Sequence, residues 1–345
     1  MGGGGRLRLS PETTPVARRP GGRAPLRWVV TALVLLAAAS GLVWGVGAWR
    51  ARGFTDYAMP SATDIPTAVA VGPDGAVWFT IEFAAAIGVF RNGRIEKLPK
   101  GKQNFEPLGL GVDADGFAWY TDGPIKAVSR VSPTGAVTSF PLSGPVAKLA
   151  RLAVAPDGAV WFAEETAFSL TRLKDGVFTR HEVGSLAAAP FGVAVDASGT
   201  VWGTIPRANK LVRIAPGREA VELDVPTRAG QIGDVAVDRQ GDVWFTEFRA
   251  NKIGRLAGGV FSEFAVPTPS AGLTALATAP DGAVWFTELR AHQLGRVRDG
   301  VVAEFPLPRR DARPFGIAVD AANNVWYTDL AGRLGRLAAA RATAR

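Results

Sequence analysis

From residue 65 onward, apolar residues fall in short alternating runs separated by turn residues, and the pattern repeats. Each repeat opens on a small apolar stretch, clearest in Val69-Ala-Val71, Val193-Ala-Val195 and Ile317-Ala-Val319. A turn follows at Asp74-Gly75, Asp115-Gly116, Asp157-Gly158, Ser198-Gly199, Gln240-Gly241, Asp281-Gly282 or Asn323-Asn324. The next run carries a tryptophan, and Trp78, Trp119, Trp161, Trp202, Trp244, Trp285 and Trp326 recur every 41 or 42 residues. A third run holds an Ile/Leu-x-Arg pattern ending at Arg130, Arg172, Arg213, Arg255, Arg296 and Arg336, with Val89 in that place in the first repeat. A second turn, such as Asn92-Gly93, Asp175-Gly176, Gly258-Gly259 or Asp299-Gly300, leads to an outer run such as Val260-Phe-Ser-Glu-Phe264. This alternation predicts strands joined by two-residue hairpin turns, whose residues must tolerate positive φ. Four short strands in about 41 residues is the length of a propeller blade. The expected fold is all-β, a seven-bladed β-propeller with four-stranded blades over residues 53–339.

Ring closure gives an internal check. After the Arg336 run only Leu337–Arg345 remain, rich in Ala and Arg, so the seventh repeat lacks an outer strand and 340–345 is left as a tail. The missing strand has a counterpart at the other end. Gly53-Phe-Thr-Asp-Tyr-Ala-Met-Pro60 matches Val260-Phe-Ser-Glu-Phe-Ala-Val-Pro267 position for position. Residues 53–60 are expected to close the last blade and remove an exposed sheet edge.

Ahead of the repeats the composition changes. Residues 1–27 carry six arginines, one acid and much Gly and Pro, a composition that cannot bury enough apolar surface to fold, so a disordered cytoplasmic tail is expected. Trp28–Trp49 follow without a charge, and at about 1.5 Å rise per residue these 22 residues span roughly 33 Å, enough to cross a bilayer core. A buried soluble helix would need a partner core that an all-β domain does not offer. A cleaved signal peptide is the rival, because Ala37-Ala38-Ala39 follows the run Val29–Leu36, but cleavage there would leave the apolar Gly41–Trp49 exposed. Arg18-Arg19 is followed by Pro20-Gly21-Gly22, which does not suit a twin-arginine signal. The expectation is one uncleaved N-terminal transmembrane helix, a signal-anchor at 28–49 ahead of the propeller. Six arginines before the segment against Arg50 and Arg52 after it put the propeller on the outer, periplasmic or extracellular, side.

Charge adds one exclusion. The formal net charge is +8, but residues 1–52 hold eight arginines and one glutamate, so the remainder is close to neutral. A nucleic-acid groove is not expected. The absence of cysteine rules out disulfides, thiolate metal sites and cysteine nucleophiles.

Repetition also separates scaffold from site. The seven tryptophans serve every blade and are read as inter-blade core. Acids three places after Trp (Asp122, Glu164, Glu247, Glu288, Asp329) suggest either a ring of metal ligands or partners for the repeated arginines and loop amides. Their recurrence favours the second. Function is expected where the repeat breaks, at the lip formed by inner-strand starts and second-strand ends. Residues eleven before each Trp are Thr67, Leu108, Ala150, Phe191, Gly233, Thr274 and Phe315, with Lys148, Arg151, Gln231, Asp234 and Arg313 nearby. The candidate lip is Thr67, Leu108, Arg151, Phe191, Asp234, Thr274, Arg313 and Phe315. A largely apolar mouth with a few charges suits a small amphiphilic ligand or a partner's loop.

The run Pro-Asp-Gly-x-Val-Trp-Phe-Thr-Glu, then Ile-Gly-Arg, Glu-Phe and Pro, resembles the blade of the virginiamycin B lyase (streptogramin lyase) family and shades into NHL-like propellers. The resemblance covers all seven repeats. It implies a carbon–oxygen lyase that opens a macrocyclic ester by elimination, with histidine as base and Mg2+ polarising the developing enolate. By that resemblance the two histidines follow the Pro opening the inner strands of the last two blades, positions held here by Thr274 and Phe315. The two metal-binding glutamates fall at Arg313 and Leu330. His292 aligns with the loop asparagines Asn209 and Asn251, and His181 with outer-strand Phe264 and Phe305, so neither supplies the base. The function expected is a membrane-anchored extracytoplasmic binding module, with no catalytic residue, metal or cofactor assigned. Its partners are the membrane through Trp28–Trp49 and an unnamed ligand or protein at the funnel. The alternative is a metal-dependent lyase that holds Mg2+ with other carboxylates, and a sugar-acid lactonase is a third reading.

Overall fold

The computed structural model describes residues 53–102, 107–143, 148–184 and 188–342. The tail and anchor expected at 1–27 and 28–49 lie outside them. Among the described residues no helix is long and apolar enough to cross a membrane.

Seven four-stranded antiparallel sheets make up the fold, an all-β seven-bladed propeller. Blade six is representative: its strands Leu273–Thr278, Val284–Glu288, Gln293–Arg298 and Val301–Pro306 neighbour one another in chain order. The core lies between blades rather than within them. Trp244, Ile253 and Val266 of blade five pack on Leu273, Leu276, Val284 and Phe286 of blade six, and Trp78 of blade one meets Leu110 and Tyr120 of blade two. Each tryptophan thus fills the gap to the next blade, where its large apolar area contributes most.

The Ile/Leu-Gly-Arg pattern has two causes. The arginine sits directly across the strand pair from Trp and lays its guanidinium over the indole, at 5.2 Å for Arg255 on Trp244 and 5.6 Å for Arg336 on Trp326. The glycine makes room for the ring after Trp. A Cβ on Gly254 would lie 2.2 Å from Phe245, and one on Gly295 2.0 Å from Phe286.

Turns differ from the sequence expectation in one respect. The second turn has both residues at positive φ, as at Asn92 (51°) and Gly93 (77°), which is the two-residue hairpin form. The first turn has only one residue there, the glycine in six blades and Asn323 in the seventh. Gly75 (81°) donates to the Gly72 carbonyl, and Gly72 donates to Ala76, a type I turn closed by a glycine bulge. An Asp side chain supports it, since Ala76 donates to Asp74 Oδ1.

The last blade takes Pro314–Val319, Val325–Asp329 and Arg333–Leu337 from one end of the propeller and Phe54–Ala58 from the other. Phe54 pairs with Leu337 and Ala58 with Arg333. Tyr57 stacks 4.3 Å from Phe90 and 6.1 Å from Trp326, and the Tyr327 hydroxyl donates to Asp56 Oδ1 at 3.0 Å. Past this blade, where the sequence suggests only a tail, Ala339–Ala342 form a helical turn. It is held by Ala339 N–H on Asn324 Oδ1 and by the Arg296 guanidinium on the Ala342 carbonyl.

At the funnel lip the blades are stitched by threonine. The residue two after Trp is Thr in six blades and Ala163 in blade three. Its Oγ1 accepts from the inner strand of its own blade: Ala68 N to Thr80, Gly109 N to Thr121, Gly192 N to Thr204, Ala275 N to Thr287. The same hydroxyl donates to the next blade, Thr80 to the Pro107 carbonyl at 2.7 Å, Thr204 to Gly233 at 2.6 Å, Thr287 to Phe315 at 3.0 Å and Thr328 to Thr67. Thr121 reaches Ala150 at 3.4 Å. Each hydroxyl satisfies a backbone donor that the bulged inner strand leaves unpaired.

Removing residues before Ser61 takes away the outer strand of the last blade and the cover of Phe54 and Tyr57. Burial of such side chains contributes up to about 1.5–3 kcal/mol each, so a chain beginning at Ser61 is expected to melt about 5 °C or more below one beginning at Gly53. Equal melting temperatures by calorimetry would show that the pairing contributes nothing.

Candidate functional site

The lip breaks its own rule in blades three and five. Ten residues before Trp, five blades carry Ala68, Gly109, Gly192, Ala275 and Gly316, while blades three and five carry Arg151 and Asp234. Small residues suit the place, because a Cβ on Gly192 or Gly316 would lie 2.8 or 2.4 Å from the next blade's lip carbonyl. The two exceptions meet. Arg151 Nε lies 3.4 Å from Asp234 Oδ1, with both side chains 11% exposed. Arg151 also donates to the carbonyls of Leu108 and Thr274, each at 3.3 Å, and its guanidinium carbon is 5.8 Å from the Phe191 ring centroid. One side chain therefore ties blade three to blades two, four, five and six. Burial pushes the Asp234 carboxyl upward and the Arg151 charge opposes that shift.

These two residues also complete the stitching. Blade three, lacking the threonine, bonds directly through Arg151 N–H to the Phe191 carbonyl at 3.2 Å. Between blades five and six, Leu276 N–H donates to Asp234 Oδ2 at 3.2 Å.

Over this pair opens a pocket of about 410 Å³ walled by Phe191, Phe248 and Phe315 with Pro190, Pro206 and Leu273. Of the expected lip residues, Arg151, Phe191, Thr274 and Phe315 line it. Leu108 and Asp234 act through Arg151. Thr67 lies elsewhere, its hydroxyl bonded with Thr80 and the Pro107 carbonyl. Arg313 is exposed and outside the lining, and its backbone N–H donates to Asp329 Oδ1 at 2.8 Å while its carbonyl accepts from Leu330. Glu165, Pro206 and Phe248 line the pocket without having been singled out by sequence. All three stand four places after Trp, where the repeat is most variable, and that variability was the available signal.

The acids three places after Trp do not converge. Each is buried in its own blade, and among the described residues no three His, Cys, Asp or Glu side chains gather as a metal site. The repeated arginines are not their partners, since five lie over tryptophan and Arg172 pairs with Asp157, which corrects half of the sequence reading. Asp122 meets Lys100 at 3.2 Å, and Glu164 meets Arg180 at 2.8 Å together with Thr171. Asp329 takes Arg309 and the amides of Arg313 and Ala331. Among the described residues Glu288 has a donor only from Gln293, and neither oxygen of Glu247 has a hydrogen-bond donor. Burial pushes both carboxyls up to about 7, helped at Glu247 by the nearby Glu263 and at Glu288 by Glu304. The two histidines stand apart from one another, in a loop and on an outer strand. His292 has φ of 57°, like Asn209 (57°) and Asn251 (56°), and His181 packs its ring 5.1 Å from Trp161 on the outer strand.

Fold and pocket together define a propeller with a ligand-sized funnel. The sequence profile of the virginiamycin B lyase family matches residues 46–260 and 257–344, and the chain belongs to that family. It is 33% identical over 170 residues to virginiamycin B lyase from Nocardia farcinica (strain IFM 10152). That match covers 49% of this chain and spans 58% of the relative's length. Among solved structures, a streptogramin B lyase superposes with TM-score 0.78 at 26% identity, over 82% of this chain and 96% of that one. A catalytically inactive virginiamycin B lyase from Staphylococcus aureus, solved with quinupristin, gives TM-score 0.78 at 24% identity, over 82% and 98%, a likeness of fold.

The two raised carboxyls set a pH dependence. A glutamate whose folded pKa is raised to about 7 contributes its stability fully below the unfolded value near 4.5 and loses it as pH rises toward 7. Glu247→Gln is expected to raise the melting temperature by about 2–4 °C or more at pH 8 and to leave it nearly unchanged at pH 5. A lower melting temperature at pH 8 would mean that the buried carboxylate is stabilised as an anion.

Proposed function

We propose that this protein is a membrane-anchored, extracytoplasmic binding propeller that holds a ligand or a partner's loop in the pocket over Arg151 and Asp234, and that it does not open ester rings. The observation that carries the reading is the content of the positions which the family resemblance assigns to catalysis. The Thr274 hydroxyl is bonded to the Thr287 hydroxyl and the Phe315 carbonyl, and neither Thr274 nor Phe315 titrates near neutrality. The residues at the expected Mg2+ positions do not fit a cation, since Arg313 brings a guanidinium and Leu330 an alkyl chain. Asp329, the nearest carboxylate in that strand, is already engaged by Arg309 and two amides. The pocket favours binding, being walled by three aromatic rings with fixed charge at its floor. Membrane attachment rests on the uncharged Trp28–Trp49 run and the arginine excess before it.

Two measurements test the reading. With Mg2+ present, the purified chain is expected to leave a type B streptogramin ring closed, because loss of a general base alone typically removes about 10²–10⁴-fold in rate. Chromatography with mass spectrometry detects the isobaric linear product, and turnover that stops with EDTA would restore the lyase reading through another carboxylate set. In spheroplasts, external protease is expected to degrade the propeller and spare the arginine-rich tail. Full-length protein recovered from the soluble cytoplasm would end the anchored reading.

A further inference from the structure

We infer that the funnel pocket takes a small amphiphile bearing an anionic group, with its apolar part against Phe191, Phe248 and Phe315 and its anion at Arg207 and Arg290. This rests on the reading of the funnel as a ligand site and adds the sign of charge that the site selects.

Of the four charged residues that line the pocket, three are matched and Arg207 remains, while Arg290 stands just outside the lining against Phe248. Lys148 faces Glu165 at 3.6 Å across the rim, and Arg151 is matched by Asp234 at 3.4 Å below. Arg207 lines the pocket, is exposed and has no carboxylate partner among the described residues. Arg290 is likewise exposed and without an acid, and its guanidinium carbon stands 5.0 Å from the centroid of Phe248, one of the pocket walls. Arg207 thus lines the aromatic cleft and Arg290 stacks on one of its walls, and neither guanidinium spends a hydrogen-bond donor among the described residues. A guanidinium recognises a carboxylate, sulfate or phosphate through paired N–H donors, and a neighbouring low-dielectric wall strengthens that attraction over what open water allows. Stacking on Phe248 holds Arg290 near the pocket and reduces the side-chain freedom lost on binding. A cationic ligand would meet two uncompensated like charges in the same cleft, and a neutral one would leave both as they are.

Calorimetry on the full chain with three ligands of one shape tests this: 2-naphthoate, neutral 2-naphthamide and cationic 2-naphthylmethylammonium. Naphthoate is expected to bind about tenfold or more tightly than the amide, with no heat from the cation, and added salt is expected to weaken naphthoate alone. Arg207→Gln with Arg290→Gln should bring naphthoate to the level of the amide without changing amide affinity or melting temperature. Arg218→Gln, in an exposed turn of blade four, should change neither. Equal affinity for naphthoate and amide would overturn the charge selection while the ligand site stands. Binding of neither would overturn both.

Discussion

Seven sheets can surround an axis only if the crowded backbone at the narrow end finds hydrogen-bond partners, and in six of the seven blades the threonine two places after tryptophan supplies them. One hydroxyl accepts from its own inner strand and donates to the neighbouring blade, so the same atom satisfies a bulge and fastens a junction. Leaving such buried groups unpaired costs about 1–3 kcal/mol for each. Much of the repeat is fitted around this ring. The bulged inner strands aim their amides at the threonines, and tryptophan, stacked under its arginine, fills the space farther out. Glycine opposite the residue after Trp lets that ring lie flat in the sheet.

The functional reading follows from the two blades that depart from this arrangement. Blade three replaces the threonine with Ala163 and places Arg151 where others have Ala or Gly, and blade five places Asp234 there. Their ion pair floors the pocket, while the Arg151 backbone N–H and the Asp234 carboxylate close the junctions of these blades. Removing one member of a buried pair typically costs about 3–5 kcal/mol, whereas replacing both by apolar residues is often neutral. Such a pair is weak support for stability and stronger support for a shaped site.

Much of the architecture was legible in the sequence because it is repetitive: seven tryptophans at constant spacing and glycine-bearing turns admit few other folds. Parts that depend on relations between repeats were harder to read. The threonine stitching is visible as a recurring letter, but its second hydrogen bond crosses to another blade. The arginines looked like partners for the acids, and only the cross-strand register places them on tryptophan instead. Arg151 and Phe191 were found because they interrupt a pattern; Phe248 was missed because its loop position varies from blade to blade, and Arg207 because it recurs with Arg249 and Arg290 and so reads as scaffold. The first hairpin was assigned the wrong turn, since Asp-Gly serves both the two-residue form and the bulged one.

The central claim is that scaffold and site are separable at the lip, with threonines holding the ring and the Arg151–Asp234 pair shaping the pocket. Melting temperature and 2-naphthoate affinity measured together on two variants test it most directly. Thr204→Val is expected to lower stability by about 1–3 kcal/mol and leave affinity unchanged. Arg151→Met with Asp234→Asn, whose amide oxygen keeps an acceptor for the Leu276 N–H, is expected to keep the melting temperature within a few degrees and reduce affinity by about tenfold or more. The opposite pattern, with affinity lost in the threonine variant and retained when the ion pair is replaced, would contradict the account.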